Sequence, residues 1–271
     1  KENVPSSGSN AHTVDHNIAI GDNAMTGGDL GTGTGVLTFQ GNIAIGGNAM
    51  DATGSNQQTG TIAIGYDALT ALTSGVDNVG VGYKSLFACN TGQQNTALGT
   101  HALYGTDDGL SNTAIGAYAM HVGNAGNYNV AVGAQCLIDV TGSSNIAIGF
   151  QSLFDLTSGS QNISMGHWSC KAMTGGETDN IAIGVESMSL VDETDNSRSA
   201  DDNIAIGTQA LQSGILASGQ DLIGNIAIGS HALNSTGTNG QTGTIAIGFD
   251  ALTALTSAVG VTAVGYQSGK A

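Results

Sequence analysis

The sequence predicts an all-β chain wound as a parallel β-roll or β-solenoid of about 17-residue coils, and three observations carry that prediction. The first is a recurring phrase, Asn-x-Ala-x-Gly, most often NIAIG. Its closing glycines are Gly21, Gly46, Gly65, Gly82, Gly99, Gly116, Gly133, Gly149, Gly166, Gly184, Gly207, Gly229, Gly248 and Gly265. The second is their spacing, which runs 17, 17, 17, 17, 16 and 17 residues from Gly65 to Gly166. A short fixed period means units that stack on their neighbours instead of closing cores of their own. The third is the alternation inside the phrase, where branched residues flank an alanine, as in Ile18-Ala19-Ile20 and Ile204-Ala205-Ile206. Residues 1–16 read as a lead-in and 17–271 as the repeat domain.

Each element of the repeat has a physical reason. The leading Asn suits a tight turn, and stacked Asn residues in successive layers form hydrogen-bonded ladders. Side chains on a strand alternate faces, so the two branched residues share one face and Ala takes the other. Ala is kept in nearly every copy, Gly80 and Ser164 being exceptions. That smallness implies a close neighbour, and we expect the Ala face to lie against symmetry mates. The closing Gly turns the chain and admits close backbone approach. Two variable residues follow, then a small one, then Leu or Met, as in Ala68-Leu69, Ser85-Leu86 and Ala119-Met120. Thr/Ser/Gly/Asn-rich segments such as Leu72 to Gly75 read as the return turns.

The rival repeat classes fail. Helical repeats are longer and keep Gly out of helix interiors, where it costs ~1 kcal/mol, whereas 43 of the 271 residues here are Gly. Collagen needs Gly at every third position and abundant Pro, and this chain has one Pro. Ice binding needs a regular Thr-x-Thr ladder, and Thr stands at the first strand position only at Thr96, Thr113 and Thr262.

Net charge is −16 with five Lys and Arg in all, which argues against nucleic acid as a partner and against docking on a bare anionic bilayer. No apolar run approaches the ~20 residues of a membrane span. The chain opens on Lys1 and stops at a fresh motif copy, VGYQSGKA, so a fragment of a longer molecule is expected. The three cysteines lack CxxC spacing. Cys136 stands in the small position, Cys170 in the Leu position and Cys89 in a return turn, which reads as neither a zinc site nor a disulfide scaffold.

Catalytic motifs are missing, and no cofactor or metal is expected. GVGYKS at Gly80 lacks the spacing of a phosphate loop and is one more repeat. His101 and His231 stand two residues after the glycine, where other copies carry Asn23, Lys84 and Gln151, so the position reads as solvated. Asp192, Glu193, Asp195, Asp201 and Asp202 cluster around Arg198 in a longer connection. Paired carboxylates there would allow glycoside cleavage, but no aromatic residue flanks them to stack on a sugar, so we read a solvated loop.

Insertions widen the spacing to 25 residues before Gly46, 23 before Gly207 and 22 before Gly229. Such insertions map onto loops, often at a binding side. Two stretches, TIAIGYDALTALTSG from Thr61 and TIAIGFDALTALTSA from Thr244, differ at two of fifteen positions and record an internal duplication. The two residues after each glycine gather Tyr66, Tyr83, Phe150, His167, Trp168, Phe249 and Tyr266. With the loop residues Asp192, Glu193, Arg198, Asp201 and Asp202 these are the candidate recognition residues. Aromatic faces beside amides suit glycan rings; the alternative is that they cement neighbouring coils.

The motif N-[TIV]-A-[ILV]-G-x-x-[AS]-[LM], from Asn17 to Gly269, resembles the repeats of bacteriophage tail fibres and related virion appendages. It is also similar to the head repeats of trimeric autotransporter adhesins, whose coils are shorter. The resemblance implies a homotrimeric fibre with its axis along the stack, placed on a virion or at a cell surface. It implies attachment to a host receptor or cell-surface glycan, and no catalytic residues. Three readings stand at this point: a tail-fibre segment, a bacterial adhesin head, and a polysaccharide-degrading tailspike using the Asp192–Asp202 loop.

Overall fold

A computed structural model describes residues 13–26, 38–52, 57–189, 199–212, 220–234, 239–255 and 258–270. It is all-β, and the chain divides into two compact units, Lys1–Asn129 and Val130–Ala271. In the first unit the NIAIG strands Ile18–Ile20, Ile43–Ile45, Ile62–Ile64, Val79–Val81, Thr96–Leu98 and Thr113–Ile115 pair in that order, all parallel and without stagger. The second unit repeats the arrangement with Val130–Val132, Ile146–Ile148, Ile163–Met165, Ile181–Ile183, Ile204–Ile206, Ile226–Ile228, Ile245–Ile247 and Thr262–Val264. Equivalent residues lie opposite one another: Ala147 pairs with Ser164, and Ser164 with Ala182. The expected parallel β-solenoid is the fold.

Longer coils add a second strand just ahead of the motif. In the first unit Thr13–Asp15, from the lead-in stretch, pairs with Thr38–Gln40, which pairs with Gln58–Thr59. In the second, Ala200–Asp201, Leu222–Ile223, Gln241–Thr242 and Ala258–Val259 pair in series. Phe39, Ala200, Leu222 and Gln241 put a buried side chain at the position three residues before the motif's first residue. The 17-residue coils carry Gly there, and the space is gone: a Cβ on Gly92 would sit 2.8 Å from the Gly109 carbonyl oxygen and 2.9 Å from Cys89 Sγ.

The strand faces are inverted relative to expectation. Alanine points into its own coil, not toward a symmetry mate, and is fully buried at Ala44, Ala63, Ala97, Ala147, Ala205 and Ala246. Its neighbours are the small residue and the Leu or Met beyond the glycine. A Cβ on Gly80, which stands in the Ala column, would meet Leu69 Cδ1 at 3.0 Å and Ser85 Oγ at 3.1 Å. At the other exception, Ser152 Oγ donates to Ser164 Oγ at 2.7 Å across the interior. The coil is too thin to hold a larger residue on both walls, so Leu69, Leu86, Leu103, Leu137, Leu153 and Leu211 fill it from one side and Ala closes it from the other. Cys89 belongs to this interior too, at the offset that Leu72 holds in the first unit and Leu156 and Met173 hold in the second. The branched residues face outward instead: Ile20 is 59% exposed, Leu98 48% and Val264 65%.

The wall opposite the strands is hydrogen-bonded without being extended. Residues two and four after each glycine take left-handed φ even with large side chains, as at Lys84 (φ 53) and Leu86 (φ 50). Each such residue costs about 1–2 kcal/mol. The cost is offset by bonds to both neighbours: Lys84 N donates to Tyr66 O and Leu86 N to Ala102 O, each at 3.0 Å. Nothing in residue type announced left-handed Leu and Met.

Buried Asn side chains lock the layers. Asn95, Asn112 and Asn129 each donate a backbone N–H to the Asn Oδ1 of the coil before, at 2.9–3.0 Å. Asn162, Asn180, Asn203 and Asn225 do the same at 3.0–3.2 Å. Each Nδ2 then reaches a carbonyl three residues before the next motif, as Asn78 does to Gly92 O at 2.7 Å and Asn203 to Leu222 O at 2.6 Å. The expected ladder is present. The duplicated coils interrupt it with Thr61 and Thr244, whose hydroxyls are buried without a partner, as are the Oε1 atoms of Gln58 and Gln241.

The closing glycines are required twice over. Gly149 has φ 129, and a Cβ there would lie 2.5 Å from the Gly166 carbonyl oxygen. Gly149→Ala is therefore expected to cost the strain, about 1–3 kcal/mol, and an overpacking cost of about 1–3 kcal/mol on top of it. A denaturant melt of this variant checks the sum; a loss no larger than the strain alone would mean that close approach is not what fixes the glycine.

Candidate functional site

In-register stacking turns every offset from the glycine into a column of like-placed side chains. The residues one and two after the glycine, which the sequence marked, form two columns on the coil's outer corner. A third column, five after the glycine, joins them. In the first unit these columns hold Tyr66 and Tyr83, then Lys84, His101 and Tyr118, then Phe87, Tyr104 and His121. Together they make one aromatic strip. Tyr66 and Tyr83 stack at 6.1 Å, Phe87 and Tyr104 at 5.0 Å, and His101 and Tyr118 at 5.1 Å. His121 sets its edge against Tyr118 at 5.0 Å and lies 5.1 Å from Tyr104. Lys84 Nζ lies 5.4 Å from the Tyr83 ring and 5.1 Å from the Phe87 ring.

His101 is thus not solvated as its offset implied. It packs among Tyr83, Tyr104, Tyr118 and His121, and its Nδ1 is buried without a partner. Removal of water from the ring, then the neighbouring His121 and Lys84, hold its pKa below the usual imidazole value. His231, at the same offset in the second unit, instead lies 3.3 Å from Asp250, through Nδ1.

The second unit carries shorter strips. Phe150 stacks on His167 at 5.6 Å, and His167 meets Trp168 at 4.4 Å. Trp168 Nε1 donates to Gln151 Oε1 at 2.8 Å, and Gln151 Nε2 donates to Gln135 Oε1 at 2.9 Å. Phe249 stacks on Tyr266 at 5.7 Å, beside Asp250, which accepts from Lys270 at 2.9 Å. That hydrogen bond is the main reason the Asp250 carboxyl is held below its usual range.

Of the candidate residues, Tyr66 and Tyr83 come together, as do Phe150, His167 and Trp168, and Phe249 and Tyr266. Each group cements neighbouring coils and leaves faces open: Tyr66 is 54% exposed, Phe249 46% and Tyr266 72%. Asp192, Glu193 and Arg198 lie outside the described residues. Asp201 Oδ1 accepts from Thr178 N at 2.7 Å, so that carboxylate is engaged in holding the preceding coil. The third column was missed, although its signal was available: Phe87, Tyr104, His121, Phe154 and Lys171 share one offset.

Among the described residues no group of three or more His, Cys, Asp and Glu is placed to hold a metal, and no helix is long and apolar enough to cross a membrane. The three cysteines are buried free thiols whose pKa burial pushes up to about 12. Set against protein families, characterised proteins and solved structures, the chain matches none.

A histidine whose pKa the fold lowers binds a proton less readily than it does in the unfolded chain. Its contribution to stability is complete above the unfolded pKa of about 6.5 and is lost as pH falls below it. Melting between pH 8 and pH 5 should therefore show a decline that His101→Gln reduces, Gln being the residue at this offset in Gln151 and Gln209. A proton titration of His101 centred at or above 6.5 would contradict the assignment.

Proposed function

We propose that the chain is a structural segment of a fibre that serves host-surface attachment, of the phage tail-fibre or virion-appendage kind, and that it works as a homotrimer. The observation that supports this reading is the outward apolar ladder. Within each unit, every motif strand presents a pair of residues, mostly Ile, Val or Leu, on the face away from the coil interior. In the second unit Met165, Ile183 and Ile206 are exposed in three successive coils. A contiguous apolar column is costly in water and is the usual mark of an association surface. Burying a fully exposed Ile side chain is worth about 1.5–3 kcal/mol; Ile183 and Ile206 are 37% exposed, so each coil offers roughly a third of that gain and the ladder adds it coil by coil.

The occupant that fits is another copy of the same ladder. The column runs along the stack, so copies joined through it align their stacks, and closed cyclic symmetry completes the set. The interface consists of the Ile face, since the Ala face is used inside the coil. Passive shaft and recognition surface then divide by position: the ladder assembles, while the aromatic corner is left for contact with a surface glycan or receptor. The net charge of −16 keeps nucleic acid outside the proposed partners.

A bacterial adhesin head is the second reading, favoured by the same ladder and the same motif. A glycan-cleaving tailspike is the third reading; of its Asp192–Asp202 loop, Asp201 Oδ1 accepts from the neighbouring coil, and no aromatic residue flanks the loop in sequence. Sedimentation should give about three times the 26.9 kDa chain mass. Ile148→Lys with Ile206→Lys should give a monomer with unchanged β-sheet circular dichroism. A wild-type monomer at micromolar concentration would overturn the trimer, and failure of the trimer to compete with parent particles or cells for host surfaces would overturn the attachment role.

A further inference from the structure

The strip in the second unit does not continue evenly past Trp168, and the break forms a cleft. Three successive coils place Trp168, Glu186 and Gln209 in one column and Lys171, Ser189 and Gln212 in the next. Ser189 is the small member. Its equivalent in the Gly149 coil is Phe154, and in the coils before and after its own it is Lys171 and Gln212. The missing bulk leaves a hollow of about 320 Å³ lined by Trp168, Lys171, Glu186, Ser189 and Gln212. That volume stands at the small end of the roughly 300–1,000 Å³ typical of ligand pockets, a size for one ring and its substituents.

The lining is preorganised. Gln151 holds the Trp168 indole nitrogen at 2.8 Å. Gln209 Nε2 donates to Glu186 Oε2 at 2.8 Å, and Gln212 Nε2 reaches the same oxygen at 3.3 Å and Ser189 Oγ at 2.9 Å. These bonds aim the carboxylate and the amide and leave Glu186 Oε1 without a hydrogen bond among the described residues. Lys171 Nζ stands 4.6 Å from the indole centroid on a flexible arm. The cleft therefore offers one aromatic wall, one ammonium donor, one carboxylate acceptor, a hydroxyl and an amide. One positive and one negative group balance each other.

We propose that this cleft binds a single neutral pyranose unit of a surface glycan. Hydroxyl groups that both donate and accept match a mixed lining of this kind, and the apolar face of the ring matches the indole. Lys171 swings from the indole to a ligand oxygen as the ring enters. A net anionic sugar would meet the carboxylate of Glu186, and an amino sugar would compete with Lys171 for the indole, so neither fits as well. This deepens the attachment reading, but the cleft is built from one chain and does not need the trimer.

The chain has one tryptophan, so its fluorescence reports this cleft directly. Titration of the intact chain with methyl glycosides of neutral hexoses and N-acetylhexosamines should give a saturable change with at least one of them, at a roughly millimolar dissociation constant. Glucuronate and glucosamine should bind more weakly than the best neutral glycoside. Glu186→Gln and Gln212→Ala should each weaken binding about tenfold. Ser189→Phe should abolish it while the β-sheet signal stays, because Phe154 shows that the column accepts Phe. The Ile148→Lys, Ile206→Lys monomer should bind as the wild type does, so loss of assembly and loss of binding are read separately. Absence of saturable change with every neutral glycoside, binding that survives Ser189→Phe, or a preference for the charged sugars would overturn the proposal.

Discussion

The structure depends on layers that stack without stagger, and in most coils a buried Asn column reinforces that register, while the Thr61 and Thr244 coils keep it through the strand pairing. An Asn side chain that accepts from the backbone of one coil and donates to a carbonyl of the next layer is satisfied in one register only. A slip by a residue would leave buried amide groups unpaired, at about 1–3 kcal/mol for each group. Once register is fixed, identity at an offset becomes adjacency in space. The glycine column lets backbones approach, the Ala and Leu columns fill the interior, and the corner columns become strips of rings and amides.

That constraint explains why a coil with so little apolar volume holds together. Ala on one wall and Leu or Met on the other give a thin interior, and Ser152, Ser164, Ser169 and Ser187 bring hydroxyls into it. Those hydroxyls are paired across the coil: Ser169 Oγ donates to Ala182 O at 3.1 Å and Ser187 Oγ to Ala205 O at 3.0 Å. Stability comes from repetition of small, mostly paired layers rather than from one large core. The outward Ile ladder is then apolar surface that the single chain leaves unused.

Much of this was legible in the sequence. The period, the parallel strands, the Asn ladder and the double role of the closing glycine follow from residue type and spacing. The sense of the strand faces did not, because alternation tells which residues share a face and not which face is inside. Gly80 and Ser164 held the clue: a position that tolerates Gly and Ser but never a large residue is the crowded one. The left-handed Leu and Met were also hidden, since propensity argues against them and only the coil-to-coil bonds of the corner pay the strain. At the candidate site, the first two corner columns were visible as scarce aromatics. The third was not, because Phe87, Tyr104 and Lys171 read as scattered residues until stacking aligned them, and the cleft at Ser189 is defined by a side chain that is small.

The central claim is that the outward Ile ladder is covered in the working molecule. Thiol labelling of an Ile206→Cys variant tests it, because the native thiols are buried, with pKa values pushed up to about 12, and stay silent. Slow labelling at concentrations where the chain is assembled, becoming fast when Ile148→Lys is added, is the result expected. Fast labelling of Ile206→Cys at every concentration, with no effect of Ile148→Lys, would show that the ladder faces water and that the account is wrong.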